Sequence, residues 1–181
     1  MSHARGLRHY LRQGGVIAYP TESCFGLGCD PQSRLGVQRV LRIKGRPQRK
    51  GLILIASDRK QLAPYMASLN AAQLQTLQSR WPGPHTWLVP TASKSRSWLT
   101  GRHPAIAVRV TAHKPAVELC RQTGMALVST SANRSGRQPA KSARDCYRLF
   151  GPSVRVIRGI IGKQRKPSTI QDLATGKILR A

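Results

Sequence analysis

Hydroxyl and cationic side chains recur in this chain at the ends of short apolar runs, where a ligand's oxygens would meet them. The first such place is Tyr19 to Pro31, YPTESCFGLGCDP, in which Thr21, Glu22 and Ser23 follow the run Gly15-Val16-Ile17-Ala18-Tyr19. Pro20 stops that run, because proline offers no N–H to a sheet ladder. Gly26 and Gly28 then permit positive φ or close backbone approach. Taken alone, the segment reads equally as a strand-to-helix turn or as the rim of a ligand site. A second place is Lys44-Gly45-Arg46-Pro47, two cations where a helix gives way to a strand. They suit an anion, or they are solvated basic side chains in a basic protein. A third is Arg109, set in the strand Ala105 to Thr111 on a face otherwise made of Ala105, Ala107 and Thr111. A half-buried guanidinium needs a partner, and with acids so few a ligand carboxylate or phosphate is favoured over an internal ion pair. The fourth is Ser129-Thr130-Ser131-Ala132-Asn133, three hydroxyls and an amide at a strand terminus, where open α/β sheets bind ligands. Hydroxyl and amide groups can donate to phosphate or ribose oxygens without adding charge; a polar loop with an Asx-type turn is the alternative.

The elements that position these groups follow from apolar periodicity and punctuation. Helices are predicted over Ser33 to Ile43 with Leu35, Val37, Val40 and Leu41 inward, over Ala71 to Ser79 capped by Asn70, between Pro115 and Gly124, and near Lys141 to Phe150. Strands are predicted at Leu52 to Ala56, Thr86 to Val89, Ala105 to Thr111, Ala126 to Thr130, Val154 to Ile157, Thr169 to Asp172 and Lys177 to Arg180. Trp81, in the rigid turn Arg80-Trp81-Pro82-Gly83-Pro84, reads as a packed anchor. The opening MSHARGLRHYLRQGG carries Arg5, Arg8 and Arg12 without an acid and reads as an amphipathic helix ending at Gly14, a mitochondrial presequence being the alternative.

The 181 residues contain 40% hydrophobic residues and no Pro/Gly/Ser-rich linker, which fits a single domain over residues 1–181. No apolar run approaches the roughly 20 residues needed to span a bilayer, so no membrane association is expected. Lys and Arg number 31 against six acids, a formal charge of +25, and the cations are spread along the chain with denser spots at RPQRK and KQRK. So large an excess calls for external anions, nucleic acid or a nucleotide polyphosphate being the natural class, although a merely solvated basic surface is the alternative. The scarcity of acids excludes a two-carboxylate glycosidase and a carboxylate-rich two-metal nuclease. Cys24, Cys29, Cys120 and Cys146 form no CxxC pair and have no zinc-finger spacing with the histidines, so no structural metal is expected and the thiols read as reduced. Neither GxxxxGK[ST] nor GxGxxG occurs, so any nucleotide site is not of those kinds.

Taken together, YPTESCFGLGCDP, KGRP at Lys44 to Pro47, WPGPHT at Trp81 to Thr86, AVRVT at Ala107 to Thr111 and STSANRSG at Ser129 to Gly136 resemble the YrdC family, in its short bacterial form, from about Gly15 to Arg180. The resemblance implies a single-domain α/β fold, a twisted mixed open sheet with helices around a concave basic cavity. It implies a nucleotidyltransferase reaction in the cytoplasm, in which L-threonine, bicarbonate and ATP, with Mg²⁺ carried on ATP, give threonylcarbamoyl-AMP and pyrophosphate. A threonylcarbamoyl transferase complex then uses the product to modify tRNA. The family's nucleotide cavity maps onto Lys44, Arg46, Ser131 and Asn133, with Ser168 and Thr169 adding hydroxyls. Its threonine pocket maps onto Thr21 and Arg109, with Ser129 at its border. Lys44 and Arg46 are the expected charge stabilisers, and no general base is identified. Longer relatives carry a histidine in the strand after KxR, where this chain has Ile55, and a further C-terminal domain. The rival reading is a non-catalytic module of the same fold that binds double-stranded RNA or tRNA.

Overall fold

The computed structural model describes residues 3–92 and 97–181. Nine strands form one twisted mixed sheet in the order β7-β1-β2-β6-β3-β5-β4-β8-β9. In chain order these are β1 (Ile17–Pro20), β2 (Phe25–Gly28), β3 (Ile53–Ala56), β4 (His85–Pro90), β5 (Ala105–Val110), β6 (Leu127–Ser131), β7 (Arg155–Val156), β8 (Thr169–Asp172) and β9 (Ile178–Arg180). The pairs β1·β7, β3·β5 and β4·β8 are parallel and the remaining five are antiparallel. The principal helices are α1 (His3–Arg12), α2 (Arg34–Lys44), α3 (Ala71–Gln78), α4 (Ser97–Thr100), α5 (Lys114–Thr123) and α6 (Ala143–Phe150).

Local chemistry sets the helix ends. Ser33 caps α2 by accepting from the Gly36 N–H, and Gly45 ends the helix at φ 58°, a conformation that glycine adopts without a Cβ clash. Asn70 with Gln73, and Ser142 with Asp145, form reciprocal capping boxes at α3 and α6. The helix expected near Lys141 thus begins at Ala143. Leu35, expected inward, is 49% exposed, whereas Val37, Val40 and Leu41 are buried as predicted.

Strands β1, β3 and β6 alternate between two hydrophobic layers. One face carries Leu54, Val108, Val110 and Val128, packed in a large cluster with Val37, Val40, Leu77, Cys146 and Phe150. The other carries Ile17, Tyr19, Ile55 and Leu127, packed under Leu7 and Leu11 of α1 and Ala116, Leu119 and Cys120 of α5. Ile55 of β3 is sealed in that second cluster. The four cysteines are free and buried.

One segment differs from its sequence reading. FGLG is neither a turn nor a loop but β2, paired antiparallel with β1 so that Pro20 faces Phe25 and Ile17 faces Gly28. Pro20 ends β1 instead of lying beyond it, a position where a missing N–H is tolerated. The glycine at position 28 is required by close packing: a Cβ there would lie 2.7 Å from both a Tyr19 ring carbon and the Val128 carbonyl oxygen.

Candidate active site

The helices α1 and α5 cover only part of their sheet face. Along the rest of it the inward residues are small, Gly26 on β2, Ala105 and Ala107 on β5, and Ser129 on β6, and a cavity of about 800 Å³ opens over them. The alternation that buries Val108 and Val110 thus also hollows out the opposite face. Substrate-sized pockets of several hundred cubic ångströms are typical of small-molecule sites.

Eight of the nine residues expected from the sequence line this cavity: Thr21, Lys44, Arg46, Arg109, Ser129, Ser131, Asn133 and Ser168. Thr169 does not. It is the first residue of β8, registered opposite His85 of β4, and strand alternation turns it away from the face that Ser168 and Ile170 share.

At one end, Lys44 closes α2 and its ammonium sits among the oxygens of the loop after β6. Nζ donates to the Ser131 carbonyl at 2.6 Å, the Asn133 carbonyl at 3.1 Å and Asn133 Oδ1 at 2.8 Å. Ser131 Oγ in turn donates to Asn133 Oδ1 at 2.7 Å, so lysine, serine and asparagine form one unit. Burial, and then the neighbouring Arg46 charge, push the Lys44 ammonium down to about 8. Arg46 donates through Nη2 to the carbonyls of Lys50 and Gly51 at 3.3 and 3.0 Å, while its Nε is buried without a partner.

The other end is built around Arg109, only 7% exposed. Here the structure corrects the sequence reading, which favoured a ligand anion over an internal ion pair. Arg109 Nη2 lies 3.3 Å from Glu22 Oε2, and Glu22 Oε1 accepts from Thr111 Oγ1 at 2.6 Å. The pairing was hidden because 87 residues separate the two partners. Arg109 still has unused capacity, since its Nε is buried without a hydrogen-bond partner. Beside it Thr21 Oγ1 donates to the Cys24 carbonyl at 2.7 Å, closing the β1–β2 connection.

The segment between β7 and β8 straps across this end. Gly162 N–H donates to the Thr21 carbonyl at 2.9 Å and Gln164 N–H to the Glu22 carbonyl at 3.1 Å. A Cβ on Gly162 would lie 2.6 Å from the Glu22 carbonyl oxygen. The strap brings Arg165, from the dense KQRK spot, to the cavity wall.

Sequence reasoning did not single out Lys50, Lys141 or Arg180 as site residues, yet all three line the cavity. Arg180 grips Ser168, donating through Nε and Nη2 to its carbonyl at 2.9 and 2.8 Å and through Nη2 to its hydroxyl at 3.0 Å. Burial, then the charges of Arg109 and Arg46, lower its pKa, so the three guanidinium groups share one field. Its only sequence signature is a cation closing the last strand, which is common. No Asp or Glu is among the described residues lining the cavity, and no three His, Cys, Asp or Glu among them are grouped to hold a metal ion.

A cavity with Arg109, Lys44, Arg46 and Arg180 around its wall can hold a carboxylate and several phosphate oxygens. The chain is similar to known proteins along nearly its whole length. The threonylcarbamoyl-AMP synthase of Methylobacillus flagellatus is 61% identical over 177 residues, 98% of this chain and 98% of that protein. That of Thiobacillus denitrificans is 55% identical over 97% of this chain and 94% of its own length. Among solved structures, P. abyssi Sua5 complexed with L-threonine superposes with a TM-score of 0.87 and 28% identity over 97% of this chain, which spans 52% of the Sua5 chain. E. coli YciO, at 24% identity and a TM-score of 0.83, shares the fold. The Sua5/YciO/YrdC family model, described as telomere recombination, matches residues 9–181, and the chain belongs to that family.

Proposed function

We propose that this protein makes threonylcarbamoyl-AMP and pyrophosphate from L-threonine, bicarbonate and ATP. The observation that carries the reading is a single cavity whose wall combines Arg109, Lys44, Arg46 and Arg180 with the hydroxyls of Thr21, Ser129 and Ser131. The names of near full-length relatives at 61% and 55% identity support it. So does the L-threonine complex of a structural neighbour.

Threonine's amine and bicarbonate give a carbamate with loss of water. A carbamate oxygen then attacks the α-phosphorus of ATP, and the bond to the β-phosphate breaks to release pyrophosphate. Negative charge accumulates on phosphoryl oxygens and on the leaving group, where fixed cations act. Arg109 clamps the threonine carboxylate, with Thr21 and Ser129 beside it. Arg46 and Arg180 meet the polyphosphate, and Lys44 holds the Ser131–Asn133 loop against it. Catalysis is by positioning and charge. Mg²⁺ enters with ATP, because the cavity's own residues offer it no carboxylate.

Ser168 anchors Arg180 against β4. Its hydroxyl lies 2.9 Å from Thr86 Oγ1 and accepts from Arg180. Thr169 takes no part in substrate contact in this reading.

The product would serve as donor to a threonylcarbamoyl transferase complex acting on tRNA in the cytoplasm. A secondary contact with tRNA is favoured by cations outside the cavity, notably the exposed Arg5, Arg8 and Arg12 of α1. No helix among the described residues is long and apolar enough to cross a membrane.

The test is incubation with ATP, labelled bicarbonate and threonine. The expected result is a labelled adenylate with threonine-dependent pyrophosphate. Failure to form either across a range of Mg²⁺ concentrations, with RNA binding intact, would replace the synthase by the binding module.

A further inference from the structure

Glu22 is placed oddly for a residue beside an active site. It is absent from the cavity wall, its side chain is 14% exposed, and it is the carboxylate paired with Arg109. Everything around it removes freedom. Thr111 Oγ1 donates to Oε1 at 2.6 Å, and that same hydroxyl accepts from the His113 N–H at 3.2 Å. Glu22's own carbonyl holds the Gln164 N–H, and the carbonyl before it holds Gly162. A carboxylate tied at both ends cannot swing into the cavity to act on substrate. It faces Arg109 from behind.

The cavity in front of Arg109 is strongly cationic, with Lys44, Arg46, Lys50, Lys141 and Arg180 on its wall and no opposing carboxylate among the described residues. Two very different anions must sort themselves in that field. A triphosphate carries several charges and an amino acid carboxylate one, so equal cations at both ends would place phosphate at both. Specificity then requires a feature that makes one end worse for phosphate. A fixed counterion behind one guanidinium is such a feature. It leaves the part of the Arg109 guanidinium that lines the cavity available while reducing the local positive potential.

We propose that Glu22 is the positioning residue of the amino-acid subsite, orienting Arg109 and neutralising it enough that the subsite accepts a carboxylate and rejects polyphosphate. This rests on the synthase reading above. Glu22 is neither a base nor a ligand contact; it assigns each substrate to its end.

The experiment is steady-state adenylate formation by the full chain, with inorganic tripolyphosphate as inhibitor. In the wild type, tripolyphosphate competes with ATP and not with threonine. In Glu22→Gln, which keeps size and loses charge, tripolyphosphate becomes competitive with threonine as well. The threonine KM rises about tenfold while the ATP KM stays within twofold. A residue that merely supports folding would not change which substrate an inhibitor displaces. A folded Glu22→Gln protein with the wild-type inhibition pattern overturns the proposal. Should that variant not fold, Glu22→Asp keeps the charge and retracts it from Arg109. It is expected to raise the threonine KM without tripolyphosphate competition, and an unchanged KM overturns the proposal. Wild-type protein that forms no adenylate overturns the synthase reading itself, a result distinct from either variant's outcome.

Discussion

Lys44 and Asn133 are joined twice, the ammonium reaching the asparagine's side-chain oxygen at 2.8 Å and its carbonyl at 3.1 Å, so that the end of α2 and the loop after β6 form one wall. Lys44 is therefore the peg that shapes this loop and, in the proposed reaction, also a charge near the ATP phosphates. Lys44→Met leaves the Ser131 and Asn133 oxygens without their donor, which costs about 1–3 kcal/mol. The expected outcome is a clear fall in Tm together with at least a hundredfold loss in kcat/KM for ATP. Lys44→Arg is expected to fail as a rescue, because a planar guanidinium does not fit a cage built for a compact ammonium.

The same burial makes the site pH-sensitive. With Lys44 lowered to about 8, its charge is largely present at neutral pH and is lost as pH rises through 8. ATP affinity is expected to weaken over that interval, and binding at pH 8 to be accompanied by proton uptake. Calorimetry in buffers of different ionisation enthalpy measures that uptake directly. The stability term runs the opposite way. Between about 8 and the ordinary lysine range the unfolded chain holds more protons at this position, so the Lys44 contribution to folding rises with pH while binding declines.

Arg180 is expected to report on the nucleotide, because it holds the Ser168 carbonyl and lies in the fields of both Arg109 and Arg46. Arg180→Gln should raise the ATP KM by tenfold or more and the threonine KM by less. An equal effect on both would place Arg180 at the junction and not at the phosphate end.

Gly28 tests the packing argument for β2. Gly28→Ala brings a methyl to 2.7 Å from the Val128 carbonyl, and backbone cannot yield as a side-chain tip can. Overpacking of this kind costs about 1–3 kcal/mol. Denaturant unfolding should show a lower midpoint at an unchanged m-value. Gly26→Ala, whose nearest neighbour is a Thr21 methyl at 3.2 Å, should cost less stability but intrude on the cavity.

Much of this site was legible in the sequence because strand alternation is a strict rule. The isolated Arg109 among alanines marked the hollow face, and the SxN and KxR elements stood at element ends, where hydroxyls and cations face outward. The failures share a physical cause, dependence on distant chain. Glu22 and Arg109 meet only because β2, β6, β3 and β5 lie side by side, an order that periodicity does not reveal. FGLG reads equally as part of a turn or of a ligand rim until its neighbours are known. Once β2 is placed between β1 and β6, its glycines are a consequence of crowding. Leu35 satisfies the helical spacing yet falls at the edge of the buried stripe. Arg180 bears only the common mark of a cation closing a strand, and Thr169, a hydroxyl like its neighbour Ser168, is set on the opposite face by the pleat.

The backbone bonds from Gly162 and Gln164 to the Thr21 and Glu22 carbonyls also bear on when the site comes into being. Residues from the first strands complete their surroundings only after the strap has been laid down and β8 and β9 have docked beside β4. During synthesis the N-terminal motif is thus exposed from the ribosome long before its partners exist. A nascent chain holds the parts of the cavity without the cavity, so in the proposed function competence to consume ATP waits for the last strands to dock.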